Sequence, residues 1–497
     1  MTHPSTSSPL LKLSLSTLPE VGSRVGAPAY ERSALKPGIL HFGVGNFHRA
    51  HQAVYLDALF AEGRDLDWAI VGASVIEGDR AQKEKLAAQD FLTTVVEQEA
   101  SRSSAHVTGV MVDYIEPGDG PAIIARLADP AIRIVSLTIT EGGYFIDPAS
   151  GKFDPHHPLM RHDAENPDAP RTVFGLILAG LKARRSAAHA PFTVMSCDNI
   201  PGNGHVTENA VAGLADAIDP DLGRWVREQV AFPNGMVDRI TPATSAREIE
   251  FVARTYGIED AWPVFCEDFK QWVLEDRFPA GRPALETVGV TFVDDVAPYE
   301  LMKIRILNGG HATIAYPAAL MDIHFVHEAM EEPLIRGFLE KVEREEIIPC
   351  VPPVPDTDLG DYFRLIERRF SNPKIGDTVA RLCLDGSNRQ PKFILPSTSD
   401  RLKAGLSIDG LSLVSALWCR YCAGTSDSGR PIPPNDASHE RLKTAALAAR
   451  SEPGAFLAMG DIFGSVGQDD RFRKAFAGHL AFLWERGTVA ALSRYLG

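Results

Sequence analysis

Cysteine is scarce, with six residues in 497, at positions 197, 266, 350, 383, 419 and 422. That number and spacing build no disulfide framework and point to a reducing, cytoplasmic compartment. Positive charge is in deficit: 50 Lys and Arg stand against 65 Asp and Glu, a formal net charge of −15. Such a surface repels phosphate backbones and anionic lipid, so neither nucleic acid nor membrane is an expected partner. No window approaches the roughly 18 uncharged apolar residues of a spanning helix. From Met1 to about Gly26 the chain lacks a basic n-region and a continuous apolar h-region, and it reads as an unstructured or strand-forming leader instead of a signal peptide. Metal-like spacing is confined to Cys419 and Cys422, which lie in an apolar stretch with no second ligand pair; they read as buried structural cysteines, and no metal is expected.

Apolar residues are plentiful, at 44% of the chain, which excludes disorder over most of its length. From Lys36 to about Val293, short β-branched runs alternate with amphipathic stretches, the pattern of a parallel sheet covered by helices. The runs are Gly38–Phe42, Trp68–Val75, Ile132–Thr140 and Phe192–Cys197. Further runs at Val107–Tyr114 and Val288–Val293 are expected to extend the sheet with antiparallel strands. Beyond Val296 longer helical patterns take over, at Pro298–Leu320, Pro333–Glu346 and Leu411–Cys422, separated by Pro- and Gly-rich breakers. The expected organisation is an α/β domain over residues 1–293 and a mainly α-helical domain over 294–497.

The first run leads directly into Gly43-Val44-Gly45-Asn46-Phe47-His48-Arg49 and a helix from about Ala50 to Phe60. A strand, a tight glycine turn and a helix N-terminus are what a dinucleotide fold needs, because the backbone can then approach a pyrophosphate. The third glycine of G-x-G-x-x-G is His48 here, so helix and strand cannot close as tightly at that point. The second run is followed by Asp79, an acidic residue able to accept hydrogen bonds from ribose hydroxyls and to repel a 2′-phosphate, which favours NAD over NADP. Its neighbour Arg80 could instead tolerate that phosphate.

A second informative segment is Pro298–His311 (PYELMKIRILNGGH). At about 100° per residue, Glu300, Lys303 and His311 fall within roughly 80° of one another, with Asn308 about 60° further round. A lysine in such apolar surroundings loses hydration, which favours the neutral amine and makes it a candidate base, more so if Arg305 turns inward. The competing reading is a satisfied Lys303–Glu300 ion pair beside a core histidine. Tyr299 and Lys303 also form the Y-x-x-x-K pair of short-chain dehydrogenases, but the glycine motif of those enzymes is absent.

Six segments together, HFGVGNFHRAH (41–51), IVSLTITEGGY (134–144), TVMSCDN (193–199), MVDRITP (236–242), QWVLED (271–276) and KIRILNGGH (303–311), resemble the polyol-specific long-chain dehydrogenases, a zinc-independent family. The resemblance implies a Rossmann-type domain followed by a helical one. It also implies an NAD-dependent oxidation of a polyol secondary alcohol to a ketose, such as D-mannitol to D-fructose. By the same resemblance Lys303 is the general base, Asn199 and Asn308 clamp the reacting oxygen, His311 positions substrate, and Glu300 exchanges protons between the lysine and solvent. Asp238 is matched near the site, unless it simply pairs with Arg239. Arg381 matches a substrate-contacting arginine, and Arg389 stands where the family has a lysine. Gly43, Gly45, Asn46, Phe47, Arg49, Asp79, Thr140 and Glu141 are assigned to the cofactor. An arabinitol or sorbitol dehydrogenase, a fructuronate reductase and a non-catalytic NAD sensor are the alternatives; a monomer is expected.

Overall fold

Five buried apolar runs hydrogen-bond into one parallel sheet in the computed structural model, which describes residues 10–147 and 153–497. They are β1 (Pro37–Phe42), β2 (Ala69–Ala73), β3 (Met111–Tyr114), β4 (Ile134–Leu137) and β5 (Thr193–Ser196). Their spatial order is β3-β2-β1-β4-β5, with every neighbouring pair parallel. This is the order of a doubly wound nucleotide-binding sheet, whose direction of winding reverses between β1 and β4 and leaves a crevice at their carboxyl ends. The glycine turn follows β1 and the Thr138–Glu141 segment follows β4, so both lie at that reversal.

Near-continuous apolar runs are required because each strand is buried on both faces. Leu40, Phe42, Val71, Val135 and Val194 enter a core with Phe174, Ile177 and Leu178 of the helix Val173–Ser186. Ile39, Ile70 and Ile134, on the opposite pleat, meet Leu56, Leu59 and Phe60. The antiparallel extension expected for the two outlying runs is not what forms. Met111–Tyr114 joins the sheet edge parallel to β2, because the long excursion after β2 brings the chain back in the same direction. Val107 lies instead in Ser103–Thr108, which pairs with Thr93–Gln98 in a separate sheet. A third sheet holds β6 (Gly235–Asp238), β7 (Gln271–Glu275) and β8 (Thr291–Val293), with β8 parallel to β7. Among the described residues of the leader, Leu11–Lys12 pairs with Ile258–Glu259, and Leu18–Gly22 is a short helix.

The chain divides into a unit of Met1–Ala297 and a unit of Pro298–Gly497. The second is helical. Its first helix is α1 (Ala297–Met302), which continues through a π-helical turn, Lys303–Asn308, into α2 (Gly309–Leu320). Next come α3 (Pro333–Val342), a second π-turn at Glu343–Ile347, α4 (Leu359–Phe370) and α5 (Asp409–Cys422). Cys419 and Cys422 are buried in α5, and all six cysteines are free thiols. No helix among the described residues is long and apolar enough to cross a membrane.

Candidate active site

The glycine turn is dictated by its surroundings. Gly43 has φ +92°, and a Cβ there would lie 2.0 Å from the Thr138 carbonyl oxygen, so a side chain is excluded twice over. The carbonyl of Gly43 accepts from Thr138 Oγ1 at 2.7 Å, which ties the turn to the strand across the sheet reversal. Around Gly45 the space is open, its nearest atom being the Gly43 oxygen at 3.7 Å. A backbone face is thereby left approachable at the start of the helical turn Asn46–Ala50.

His48, in place of the third glycine, has a structural answer. Its ring stacks on His41 of β1 with centroids 3.4 Å apart, and its Nδ1 meets Gln52 Oε1 at 2.5 Å. His41 reaches Ser136 Oγ at 2.8 Å and Thr138 Oγ1 at 3.0 Å. Two flat rings fill the gap that a glycine would have closed. Both histidines are fully buried, and burial lowers His48 to about 4 and His41 well below the usual range, so both are neutral.

The side chains of Asn46 and Arg49 are committed elsewhere. Asn46 Nδ2 donates to the Pro242 carbonyl and to Thr244 Oγ1, both at 3.0 Å. Arg49 is buried over the Trp262 ring, 3.7 Å from its centroid, and also donates to Asn46 Oδ1. They brace the turn against a remote segment. Phe47 stacks on His51. Asp79 ends the 3-10 turn after β2, where Ser74 Oγ donates to its Oδ2 at 2.6 Å. Arg80 is drawn to Glu116 at 2.6 Å, away from Asp79.

At the end of β4, Thr140 holds φ +64°, a strained conformation for a β-branched residue. Asp198 maintains it. Its carboxylate accepts from the Ile139 and Thr140 amides, each at 2.9 Å, and from Tyr144 Oη at 2.7 Å. The sequence reading passed over Asp198, although it stands beside Asn199 in the matched TVMSCDN segment. Asn199 itself is exposed just beyond β5. Glu141 opens the turn Glu141–Tyr144, and its side chain lies outside the described residues. Asp238 ends β6, buried, and the Arg239 guanidinium donates to Glu97, the Glu267 carbonyl and the Ala50 carbonyl.

In the second unit, Lys303 is 7% exposed and begins the π-turn. The Gly309 N–H donates to the Ile304 carbonyl, five residues back. Asn308 follows five residues on, at the end of the π-turn, His311 lies three further on in α2, and Glu300 precedes Lys303 by three residues on α1. Arg305 does not turn toward Lys303: it pairs with Asp400 at 2.6 Å and donates to the Cys350 carbonyl at 3.0 Å. Tyr299 donates to the Pro355 carbonyl, and burial raises its pKa, the opposite of what the Y-x-x-x-K chemistry requires. His311 stacks on Phe370 at 4.2 Å. Burial holds its imidazole well below the usual range, and the nearby charges of Arg381, Arg369 and Arg389 add to that. Arg381 is paired with Asp377, and Arg389 donates to the Leu382 carbonyl at 2.9 Å. Arg369, buried at the end of α4, is a third cation near His311 that no sequence motif had marked.

Comparison with known proteins gives a consistent result. The model of the mannitol dehydrogenase Rossmann domain matches residues 37–287, and that of the mannitol dehydrogenase C-terminal domain matches residues 295–484. The chain is 59% identical to mannitol 2-dehydrogenase of Cereibacter sphaeroides over 473 residues, 95% of this chain and 99% of that one. It is 40% identical to mannitol 2-dehydrogenase of Neosartorya fischeri over 498 residues, 98% of this chain and 99% of that one. Among solved structures it is similar to Pseudomonas fluorescens mannitol 2-dehydrogenase in ternary complex with NAD and D-mannitol, with TM-score 0.87, 41% identity and 98% and 99% of the two chains covered. A D-sorbitol dehydrogenase in substrate-free form matches with TM-score 0.89 at 35% identity, over 97% of this chain and 100% of that one.

Proposed function

The chain belongs to the mannitol dehydrogenase family, and on that premise we propose that Lys303, Asn308 and His311 carry out an NAD-dependent interconversion of D-mannitol and D-fructose. The protein is a polyol dehydrogenase. The observation supporting this assignment of residues is the π-turn, which gathers a buried lysine, an amide and a neutral imidazole on one side of one helix.

A C2 hydroxyl titrates far above neutral pH, so its proton must leave as the hydride does. Neutral Lys303 takes that proton. The Asn308 side-chain amide donates to the same oxygen, where negative charge develops, and Asn199 is assigned a second donation. His311 holds a neighbouring hydroxyl, and Glu300 passes the proton on to solvent. Asp238, Arg381 and Arg389 orient the remaining hydroxyls. In the reverse direction protonated Lys303 is the general acid. General acid–base work of this kind contributes about 10²–10⁴-fold.

Bound NAD supplies the hydride acceptor. The residues present fit it: Gly43 and Gly45 leave backbone room for a pyrophosphate, and Asp79, oriented by Ser74, presents a carboxylate to the ribose while Arg80 is occupied. Thr140 and Glu141 belong to the same end of the sheet. Six free cysteines support a reducing, cytoplasmic setting, and the net charge of −15 supports a monomer. A polyol needs neither a nucleic acid nor a membrane as partner.

One observation favours a second reading. Three arginines near His311 suit a substrate carboxylate, as in a uronate. Measuring kcat/KM for mannitol, arabinitol, sorbitol, fructose and fructuronate with both cofactors tests the choice. The expected result is the highest values for mannitol and fructose with NAD and NADH. A higher value for fructuronate would transfer the assignment to the uronate, and no NADH oxidation with any ketose would leave only a cofactor-binding protein.

A further inference from the structure

Behind the π-turn that carries Lys303 and Asn308 lies a carboxyl group with nothing to bond to. Glu343 is fully buried, and neither of its carboxyl oxygens has a hydrogen-bond partner among the described residues. It begins the second π-turn, where the Ile348 N–H donates to the Glu343 carbonyl five residues back. Its side chain lies against α2: Oε1 is 3.2 Å from the point a Gly310 Cβ would occupy, beside Phe370 Cε2 at 3.4 Å and Leu339 Cδ1 at 3.5 Å. Any larger residue at 310 would displace the acid, so the glycine and the carboxyl fit as a pair.

The elements packed around Glu343 carry several titratable groups: Lys303 and Arg305 on the first π-turn, His311 on α2, Glu340 on α3, Arg369 on α4, and Asp400 and Arg401 on the helix Leu395–Lys403. None of them shifts its proton affinity; burial alone does, and raises it well above the usual carboxylate range. The group is therefore a neutral acid, with an O–H to donate.

The complementary orphan is close by. His311 stacks on the ring of Phe370, the same ring that lies beside Glu343 at Gly310, and His311 Nε2 is buried with no partner. A buried donor without an acceptor and a buried imidazole nitrogen without a donor thus flank Gly310 and Phe370. Unsatisfied buried polar atoms are rare and costly, and internal water commonly joins such pairs.

We infer that Glu343 is a positioning residue for His311, donating its carboxyl proton through one ordered water to the Nε2 lone pair and so holding the imidazole in the Nδ1–H tautomer. The Nδ1 proton is then the one offered to a substrate hydroxyl. The arrangement follows the logic by which an acid orients a catalytic imidazole in other enzymes, with the acid here kept neutral. It rests on the reading of His311 as a substrate-positioning group.

Glu343→Gln and Glu343→Leu test it in the full-length enzyme, with histidine ¹⁵N NMR reporting the His311 tautomer; its resonances are assigned by their loss in His311→Ala. Glu343→Gln keeps an N–H donor and is expected to retain the tautomer and to keep kcat/KM for the polyol within about threefold of wild type. Glu343→Leu is expected to move His311 toward the Nε2–H form and to lower kcat/KM about tenfold or more, with NADH affinity unchanged and the melting temperature no lower. In the His311→Ala background, Glu343→Leu should add nothing. Unchanged His311 shifts in Glu343→Leu, a switch to Nε2–H in Glu343→Gln, or an equal loss in the His311→Ala background would each overturn the proposal. Should His311→Ala itself leave polyol oxidation intact, the reading of His311 falls, while the tautomer shift still decides whether Glu343 orients it.

Discussion

Lys303 and Asn308 stand five residues apart yet on one side of their helix, because the turn joining them is π and not α. In an α-helix a five-residue step leaves side chains about 140° apart. An i→i+5 turn absorbs one extra residue and reduces that step to roughly 40°. Everything C-terminal to the turn rotates with it, so Glu300, Lys303, Asn308 and His311 fall within about 80° of one another instead of spreading further round the helix. The proposed base, oxyanion donor and substrate-positioning imidazole are arranged by one local irregularity.

Lys303→Ala removes the proposed base and its charge together. Turnover of mannitol is expected to fall by at least about 10³-fold while NADH affinity stays nearly unchanged. Steady-state kinetics with a separate NADH titration would check this. A variant keeping more than about a tenth of wild-type turnover would remove Lys303 from the mechanism, given what acid–base catalysis contributes.

Deleting Ile304, the least buried apolar residue of the π-turn, lets the segment close as an α-helix. Asn308 then stands four residues from Lys303, still about 40° round the helix, so the alignment with Lys303 is kept. The variant should fold, as judged by circular dichroism and NADH binding, and keep turnover within about tenfold of wild type, since displacement below about an ångström costs less than about 10²-fold. A loss of about 10²-fold or more in a folded deletion variant would show that catalysis depends on the π-turn itself and not on the alignment it provides.

The sheet was legible because its information is local. Each buried strand announces itself as a short β-branched run, and Gly43 is required by φ and by the Thr138 carbonyl whatever surrounds them. The substitution at the third glycine was visible, but its reason was not, since the ring that His48 stacks on belongs to β1. The contacts of Asn46 and Arg49 were invisible because their partners Pro242, Thr244 and Trp262 lie some 200 residues away. The polar face at Lys303 was found at the wrong angle: one residue of π-helical excess leaves no mark on composition or period. Glu343 gave no signal at all, for a glutamate in an amphipathic helix is normally solvated, and only packing reveals that this one is not.

The role proposed for Asp79 rests on two contacts, Ser74 donating to its carboxylate and Glu116 pairing with Arg80. Asp79→Ala should relax discrimination against NADP, and Glu116→Gln should do so more weakly by releasing Arg80 toward a 2′-phosphate. The ratio of kcat/KM for NAD to that for NADP is the measurement. A ratio unaltered by Asp79→Ala would mean that the ribose is recognised elsewhere.

The stacked His41–His48 pair makes the glycine turn sensitive to acid. His48 is lowered to about 4 in the folded protein against about 6.5 in an unfolded chain, so the unfolded state binds the proton more readily. Its stabilising contribution is complete above pH 6.5 and is lost as the pH falls toward 4, amounting to about 3 kcal/mol for a shift of that size. Asp57 acts in the opposite sense: burial raises it to about 6, so its protonation on folding favours the native state as the pH drops through the same window. A wild-type pH profile therefore mixes the two, and the informative quantity is a difference. His48→Leu cannot take a proton and keeps Asp57, so subtracting its denaturant-unfolding profile from that of the wild type isolates the histidine. The difference should grow on acidification from pH 6.5 to 4, as the wild type alone loses the contribution of the neutral ring. A constant difference would mean that His48 gains its proton without cost in the folded state, which a fully buried ring stacked on a second neutral imidazole does not allow.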